Sequence, residues 1–273
     1  MRILFCNIAW MKFYQGTIPK IDVPVGGGAW TGRRKTAHES ENFVAHTLIT
    51  AENENKSYCY GSVFLNTKRT NLHVERLEGC ELLENEPSAK DVLVIWCASG
   101  HIVGWYKDAT VYRQNQNRLL VDESGNQKEL VYNIEAEADH CLLLPDEDRL
   151  KTCWNVPHVN TKGAKFGFGQ ANVWYAQEEE AQNYIKKISR QIEKYDGENW
   201  ACGRRIPACT GDRIVVKRGH KDNDLEFDFV LEVEGSRPPV HDMCEGKCIG
   251  EFFLYKGQKY TLIKVEKKGM LKK

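Results

Sequence analysis

Aromatic side chains crowd one segment of the sequence. Trp96, Trp105, Tyr106 and Tyr112 fall within a short span, and Trp30 lies earlier in the chain. Aromatic faces stack on nucleic-acid bases, and each stacked ring contributes roughly 1–3 kcal/mol. Rings also attract methylated or cationic groups. The alternative is that these rings fill a hydrophobic core with their polar atoms at its edge. The segment therefore predicts either a pocket for a flat ring or an aromatic core.

Three amide side chains in the same part of the sequence could read the edge of such a ring. Asn42, Gln170 and Asn172 both donate and accept hydrogen bonds, as the edge of a base does. Along a regular strand, however, Trp105 and Tyr106 point to opposite faces of the sheet. Both rings can therefore line one pocket only if the strand carries a bulge.

Two features of the sequence could contact a phosphate backbone. The backbone N–H groups of Gly26, Gly27 and Gly28 could approach a phosphate, because glycine adopts the conformations that such an approach requires. Arg204 and Arg205 belong to a basic stretch that could follow the phosphates. The alternative interpretations are a flexible surface loop for the glycines and a solvated basic surface for the arginines.

Four cysteines near the C-terminal end could bind zinc. Cys202 and Cys209 are separated by six residues, and Cys244 and Cys248 by three. These spacings are looser than the two-residue spacing of a zinc knuckle. Unliganded thiols are the alternative interpretation. Zinc is therefore an open option, and no other cofactor is predicted.

No catalytic residue is predicted. The sequence contains no nucleophile elbow, Walker loop or HExxH zinc helix. His38 and Glu39 are adjacent, and adjacent residues on a helix do not face each other, which argues against an acid–base pair. The sequence favours a binding protein over an enzyme.

Composition narrows the class of protein. The chain has 273 residues, 41% of them hydrophobic, which is enough to bury a core, and its formal net charge is zero. Nucleic-acid binding would therefore depend on local basic faces rather than on bulk charge. The first residues lack the features of a signal peptide, and no apolar run is long enough for a membrane helix. The ten cysteines are then expected to be reduced thiols of a cytoplasmic protein that does not enter a membrane.

Strands dominate the predicted secondary structure. Residues 91–113 predict a central hairpin whose turn is Ser99-Gly100, and further strands are expected at 2–8 and 57–65, with a strand pair within 128–144. Residues 212–217, 225–233, 252–255 and 259–265 predict a β-rich tail.

Two helices are predicted. Residues 36–46 form the first and 178–195 the second. In the second helix apolar residues recur every three or four positions, which predicts one face packed on the sheet. That stripe consists of Ala181, Tyr184, Ile185, Ile188, Ile192 and Tyr195.

Several short motifs resemble those of EVE-type domains in the PUA-like superfamily. The central hairpin with Ile102-Val103-Gly104-Trp105-Tyr106 and Tyr112 is similar to the central hairpin of that family. Other motifs resemble N-terminal modules of uncharacterised bacterial proteins; they are Gly26-Gly27-Gly28-Ala29-Trp30, residues 38–43 and residues 169–175. The resemblance implies an α+β fold: a mixed β pseudo-barrel with flanking helices and a pocket for a flipped-out, often modified, base. Some relatives join such a module to a nuclease, and this chain shows no nuclease domain of its own.

The sequence thus predicts a base-recognition domain at residues 1–177, a helix and linker at 178–200 and a small basic β-rich domain at 201–273. The leading hypothesis is a DNA- or RNA-binding protein that reads an ordinary or modified base, as a sensor module of a defence or restriction system that could act with a nuclease partner. The rivals are a nuclease or base-modifying enzyme and a protein-interaction module.

Overall fold

The computed structural model describes two separate units of the protein. The first unit comprises Met1–Ile18 and Asp22–Arg204, and the second comprises Pro19–Ile21 and Arg205–Lys273. The predicted helix and linker at 178–200 belong to the first unit. The residues described are 2–17, 22–26, 37–49, 55–65, 71–82, 84–121, 127–159 and 164–201, with the strands 213–219, 227–231, 252–255 and 258–266.

An eight-stranded mixed sheet forms the first unit. Its order is β2-β3-β6-β5-β4-β1-β8, and β7 pairs with β5. Only β1 and β4 pair in parallel; the other described pairs are antiparallel. The strands are β1 Ile3–Asn7, β2 Ala45–Ile49, β3 Asn55–Gly61, β4 Ser88–Ala98, β5 His101–Val121, β6 Gln127–Glu137, β7 Cys141–Leu143 and β8 Val173–Trp174.

The fold is therefore α+β and rich in strands, as predicted. The described sheet is open, with β2 and β8 at its two ends, rather than closed into a pseudo-barrel. The two strands within 128–144 exist, but they do not pair with each other: β6 pairs with β3 and β5, and β7 with β5. A short 3-10 turn at Ala138–His140 separates them and sends β7 to a different part of β5.

The predicted central hairpin is confirmed. β4 and β5 join through Ser99 and Gly100, whose φ angles of 50° and 81° are the positive values that a two-residue hairpin turn requires. Every residue from Val92 to Ala98 is buried, as the continuous apolar run indicates. The free thiols of Cys6, Cys59, Cys97 and Cys141 are also buried, so these cysteines pack as small hydrophobic residues.

The second predicted helix is confirmed and the first is wrong. A 3-10 turn at Glu179–Ala181 leads into α2, Gln182–Glu193, and the whole apolar stripe packs on one core cluster. At 36–46 the structure has a 3-10 turn, His38–Glu41, and then the start of β2. Tertiary packing overrides the helical pattern there, because Phe43 is buried between the rings of Tyr14 and Tyr106.

The remaining helical segments are short. They are α1 Asp146–Arg149 and the 3-10 turns Val74–Arg76, Ala138–His140 and Thr152–Trp154. Among the described helices, none is long and apolar enough to cross a membrane.

A four-stranded antiparallel sheet forms the second unit. Its order is β10-β9-β12-β11, and a register shift interrupts β12 between Leu262 and Lys264. All four strands of the predicted β-rich tail are present: β9 Arg213–Gly219, β10 Phe227–Leu231, β11 Phe252–Tyr255 and β12 Gln258–Glu266.

An ion-pair cluster secures the segment 71–82 of the first unit. Glu75 accepts hydrogen bonds of 2.8 Å from His73 Nδ1 and 2.8 Å from Arg113 Nη1. Burial alone would raise the pKa of Glu75, but hydrogen bonds from its own backbone N–H, His73 and Arg113 lower that pKa to about 2. The folded state therefore binds the proton of Glu75 more weakly than the unfolded chain does.

This lowered pKa predicts a loss of stability in acid. The contribution of Glu75 is complete above its ordinary pKa of 4.5 and is lost as the pH falls towards 2. Between about pH 5 and pH 2 we expect the unfolding free energy of the parent to fall by about 1 kcal/mol more than that of Glu75→Gln. The effect is no larger because the Glu75–Arg113 ion pair is partly solvated. Urea unfolding at several pH values measures this difference. Exposed Glu84→Gln is the control, and identical acid slopes for the parent and Glu75→Gln would refute the prediction.

Candidate ligand-binding cavity

The three rings predicted to stack on a base lie in the core. Trp96, Trp105 and Tyr106 are only 0%, 2% and 0% exposed. Trp105 packs against Trp154 and Tyr195, with ring centroids 5.6 Å away in each case. Trp96 and Tyr106 contact each other at 5.3 Å. No face of these rings is open to a ligand, so the predicted stacking role is wrong and the aromatic-core alternative holds.

Two other predicted base contacts have internal partners. The side-chain amide of Asn42 is buried, donates to the Ser62 carbonyl at 3.1 Å and accepts from the Ser62 N–H at 2.9 Å. The Tyr112 hydroxyl donates to Glu135 Oε1 at 2.6 Å, and burial together with this carboxylate raises the pKa of Tyr112. Asn42 is therefore a structural clamp rather than a reader of a base edge.

Several predicted site residues lie outside the described residues. These are the predicted stacking residue Trp30, the phosphate candidates Gly27, Gly28, Arg204 and Arg205, and the zinc candidates Cys202, Cys209, Cys244 and Cys248. Within the part of the chain that the structure describes, no group of three or more metal-ligating side chains occurs.

A cavity of about 330 Å³ lies where β1 and β4 end. This volume is near the lower limit for small-molecule sites, which matches a ligand with one or two rings. Three residues predicted from the sequence line it: Gly26, a phosphate candidate, and Gln170 and Asn172, which were predicted together as contacts to a base edge. The other lining residues are Asn7, Ile8, Val25, Cys97, Ser99, Gly100, Val156, Pro157, His158, Phe168, Gly169 and Ala171.

Strand pairing explains why these distant segments meet. β1 and β4 are parallel, so their carboxyl ends lie at the same edge of the sheet, and antiparallel β8 begins at that edge. The Asn7 N–H donates to the Asn172 carbonyl at 2.7 Å, and the Ile8 N–H donates to the Cys97 carbonyl at 2.8 Å. Crevices at the carboxyl ends of parallel strands are common ligand sites.

Two segments paired in parallel, around His158 and Phe168, form another part of the cavity wall. The Phe168 N–H donates to the Pro157 carbonyl at 3.0 Å, and the Val159 N–H donates to the Phe168 carbonyl at 2.9 Å. Gly167 has a φ of 117°, and a Cβ atom there would overlap the Pro157 carbonyl. Glycine is therefore required for this wall to close.

The polar lining of the cavity consists of amide, hydroxyl and imidazole groups. Its polar side chains are the amides of Asn7, Gln170 and Asn172, the Ser99 hydroxyl and the His158 imidazole. Among the described lining residues there is no carboxylate, ammonium or guanidinium group. Amides and hydroxyls both donate and accept hydrogen bonds, so the site suits an uncharged ligand with a mixed polar edge.

Trp10 lies beside this cavity and was not among the predicted site residues. It pairs with the lining residue Val25 through two backbone hydrogen bonds of 2.8 and 2.9 Å. The Arg149 guanidinium lies 5.5 Å from the Trp10 ring centroid, and the His101 ring contacts Trp10 edge-on at 6.4 Å. Unlike Trp96 and Trp105, Trp10 is only partly buried. Its position beside the cavity depends on the long-range pairing with Val25, which no local sequence motif reveals.

Comparisons with known proteins do not assign the chain to a family. No protein-family model, no curated protein and no solved structure matches the chain. The resemblance to EVE-type domains therefore stays a prediction from short motifs. The fold and the cavity together define the class of protein: it is a strand-rich α+β protein with a small cavity, lined largely by amide and apolar groups, at the ends of its two parallel strands.

Proposed function

We propose that this chain is a nucleic-acid-binding protein that holds one base, ordinary or modified, in the cavity at the ends of β1 and β4. The observation that carries the proposal is the meeting of Gly26, Gln170 and Asn172 in that single cavity. Each of them was selected from the sequence for base or phosphate contact. In this proposal the ligand enters the β1–β4 cavity instead of the aromatic hairpin.

The chemistry of the lining supports a base as the ligand. Extracting a base from a stack costs a few kcal/mol, which contacts to its faces and edge must offset. His158 provides a half-buried ring in the wall, and Gln170 and Asn7 provide amides for the polar edge. Gly26 is exposed and has a φ of 79°, so its backbone N–H lies on a segment with the freedom to approach a phosphate.

The proposal also covers the cellular compartment and the partner of the protein. We propose that the protein is a PUA-like sensor module in the cytoplasm, which recognises DNA or RNA and leaves cleavage to a nuclease partner. The free thiols of the six described cysteines fit a reducing compartment. Zinc binding by the C-terminal cysteines remains a separate proposal, tested by metal analysis of the purified protein.

Removing one amide from the cavity should weaken binding of the base. We expect Gln170→Ala to raise the Kd for a single-stranded oligonucleotide roughly 5- to 100-fold, the effect of losing a good side-chain contact to a base edge. Ala171→Trp, which fills the opening, should have at least as large an effect. Fluorescence anisotropy with labelled 12-mers, each carrying one ordinary or modified base, measures both.

The matched control is Gln114→Ala, which removes another exposed glutamine, on the distal half of β5. It should bind as the parent does. If no oligonucleotide binds, or if both cavity variants bind as tightly as the parent, the cavity is not the base site. Metal-dependent cleavage of the same probes by the purified protein would instead favour the enzyme hypothesis.

A further inference from the structure

A second aromatic surface lies close to the cavity. Phe64 is 47% exposed, and its ring stacks on that of exposed His38, with centroids 6.3 Å apart and planes only 6° from parallel. Phe64 is the only phenylalanine among the large hydrophobic side chains that the described residues leave exposed. An exposed ring of this size is a ready platform for another planar group.

A hydrogen bond links this surface to the cavity. Asn172 lines the cavity, and its Nδ2 donates to the Phe64 carbonyl at 2.9 Å. The Phe64 backbone therefore lies within one hydrogen bond of the proposed base site.

Two buried asparagines hold the residues just before Phe64. Asn42 makes a reciprocal pair of hydrogen bonds with the backbone of Ser62, as described above. Asn133 does the same with Val63, accepting its N–H at 3.1 Å and donating to its carbonyl at 3.0 Å. With Asn172, an asparagine thus binds the carbonyl of each of three successive residues. The backbone that carries Phe64 is therefore held in place before any ligand arrives, which lowers the entropic cost of binding.

We infer that the Phe64–His38 platform stacks on the base that neighbours the one in the cavity, so that the ligand is a single-stranded nucleic acid of at least two nucleotides. In a duplex the neighbouring base stays stacked on its own strand and is not free to cover Phe64. Exposed Val25 and Val159 add apolar surface near the cavity: Val25 lines it, and Val159 lies beside Gly169. The inference rests on the proposed function, because the platform matters only if the cavity holds a base.

Calorimetry of the full chain with nucleosides and trinucleotides tests the inference. The probes are the four ordinary 2′-deoxynucleosides, 5-methyl- and 5-hydroxymethyl-deoxycytidine and N6-methyl-deoxyadenosine, and for each a trinucleotide with thymidine on both sides. The parent should bind the preferred trinucleotide roughly 5- to 100-fold more tightly than the nucleoside. Phe64→Ala should lose most of this gain and keep the nucleoside affinity, whereas Phe64→Trp should retain it. Leu82→Ala, which removes another exposed apolar side chain, is the control.

The outcomes distinguish failure of this inference from failure of the proposed function, which is base binding in the cavity. If no nucleoside and no trinucleotide binds, the proposed function fails, and the inference with it. If nucleosides bind and Phe64→Ala leaves the trinucleotide gain unchanged, only the inference fails. Equal weakening of both ligands by Phe64→Ala would also overturn it, because the residue would then only shape the cavity. A change in self-association with unchanged trinucleotide binding would assign the platform to a protein contact instead.

Discussion

Replacing Arg149 with methionine is expected to lower the free energy of unfolding by about 3–5 kcal/mol, because three backbone carbonyls lose their donor and each unsatisfied buried acceptor costs about 1–3 kcal/mol. Arg149 is fully buried, and its guanidinium donates to the carbonyls of Leu144 at 2.8 Å, Met11 at 2.7 Å and Lys12 at 2.7 Å. Methionine fills similar space but leaves all three acceptors without a donor. Each unsatisfied buried acceptor is costly, which is why the effect exceeds that of an ordinary substitution.

Urea denaturation of the parent and the variant measures this loss. Arg149→Lys should recover only a small part of it, because one ammonium group cannot reproduce the planar fork that reaches three carbonyls. Arg190→Met is the control: Arg190 lies exposed on α2, so its replacement should change stability by no more than about 0.5 kcal/mol. A loss for Arg149→Met as small as that of the control would show that the network is dispensable.

Arg149 also connects stability with the proposed site. Two of the carbonyls that it binds, those of Met11 and Lys12, belong to the loop that follows β1, and its guanidinium lies against Trp10. The same loop is held from the other side by Asp22, whose two oxygens accept the N–H groups of Lys12 at 2.6 Å and Phe13 at 2.8 Å. Burial raises the pKa of Asp22, and the three backbone N–H groups that face it and Arg149 oppose that rise. Disturbing Arg149 should therefore weaken binding as well as folding.

Local sequence patterns predicted the elements whose structure is decided locally. The stripe from Ala181 to Tyr195 predicted a helix and its buried face, and Ser99-Gly100 predicted a tight turn, because periodicity and positive φ are properties of neighbouring residues. The segment 36–46 was misjudged because Phe43 packs on Tyr14 and Tyr106, partners that a local pattern does not contain.

The cavity was harder to predict than the elements. Its residues come from five stretches of chain that meet through the parallel pairing of β1 with β4, and that pairing has no short-range signature. Residue type alone did select Gly26, Gln170 and Asn172. It could not separate Trp96, which is enclosed in the core, from partly exposed Trp10, because the difference lies in what packs on each ring. Burial is a property of tertiary contacts.

The enclosure of Trp96 has a direct consequence at Gly61. A Cβ atom at Gly61 would overlap the Trp96 ring and lie 3.2 Å from Cε2 of Tyr106. We expect Gly61→Ala to lower the unfolding free energy by about 1–3 kcal/mol, the usual cost of overpacking a core. Gly169→Ala is the matched control, since a Cβ there meets nothing closer than Val159 Cγ2 at 3.8 Å. Equilibrium unfolding of both variants measures the difference.

A double-mutant cycle shows whether the Trp96 ring is the cause. Trp96→Phe removes the part of the indole that a new methyl group at Gly61 would meet, so Gly61→Ala should cost less in the Trp96→Phe background than in the parent. If the two changes are additive, the ring does not press on Gly61 and has room to move.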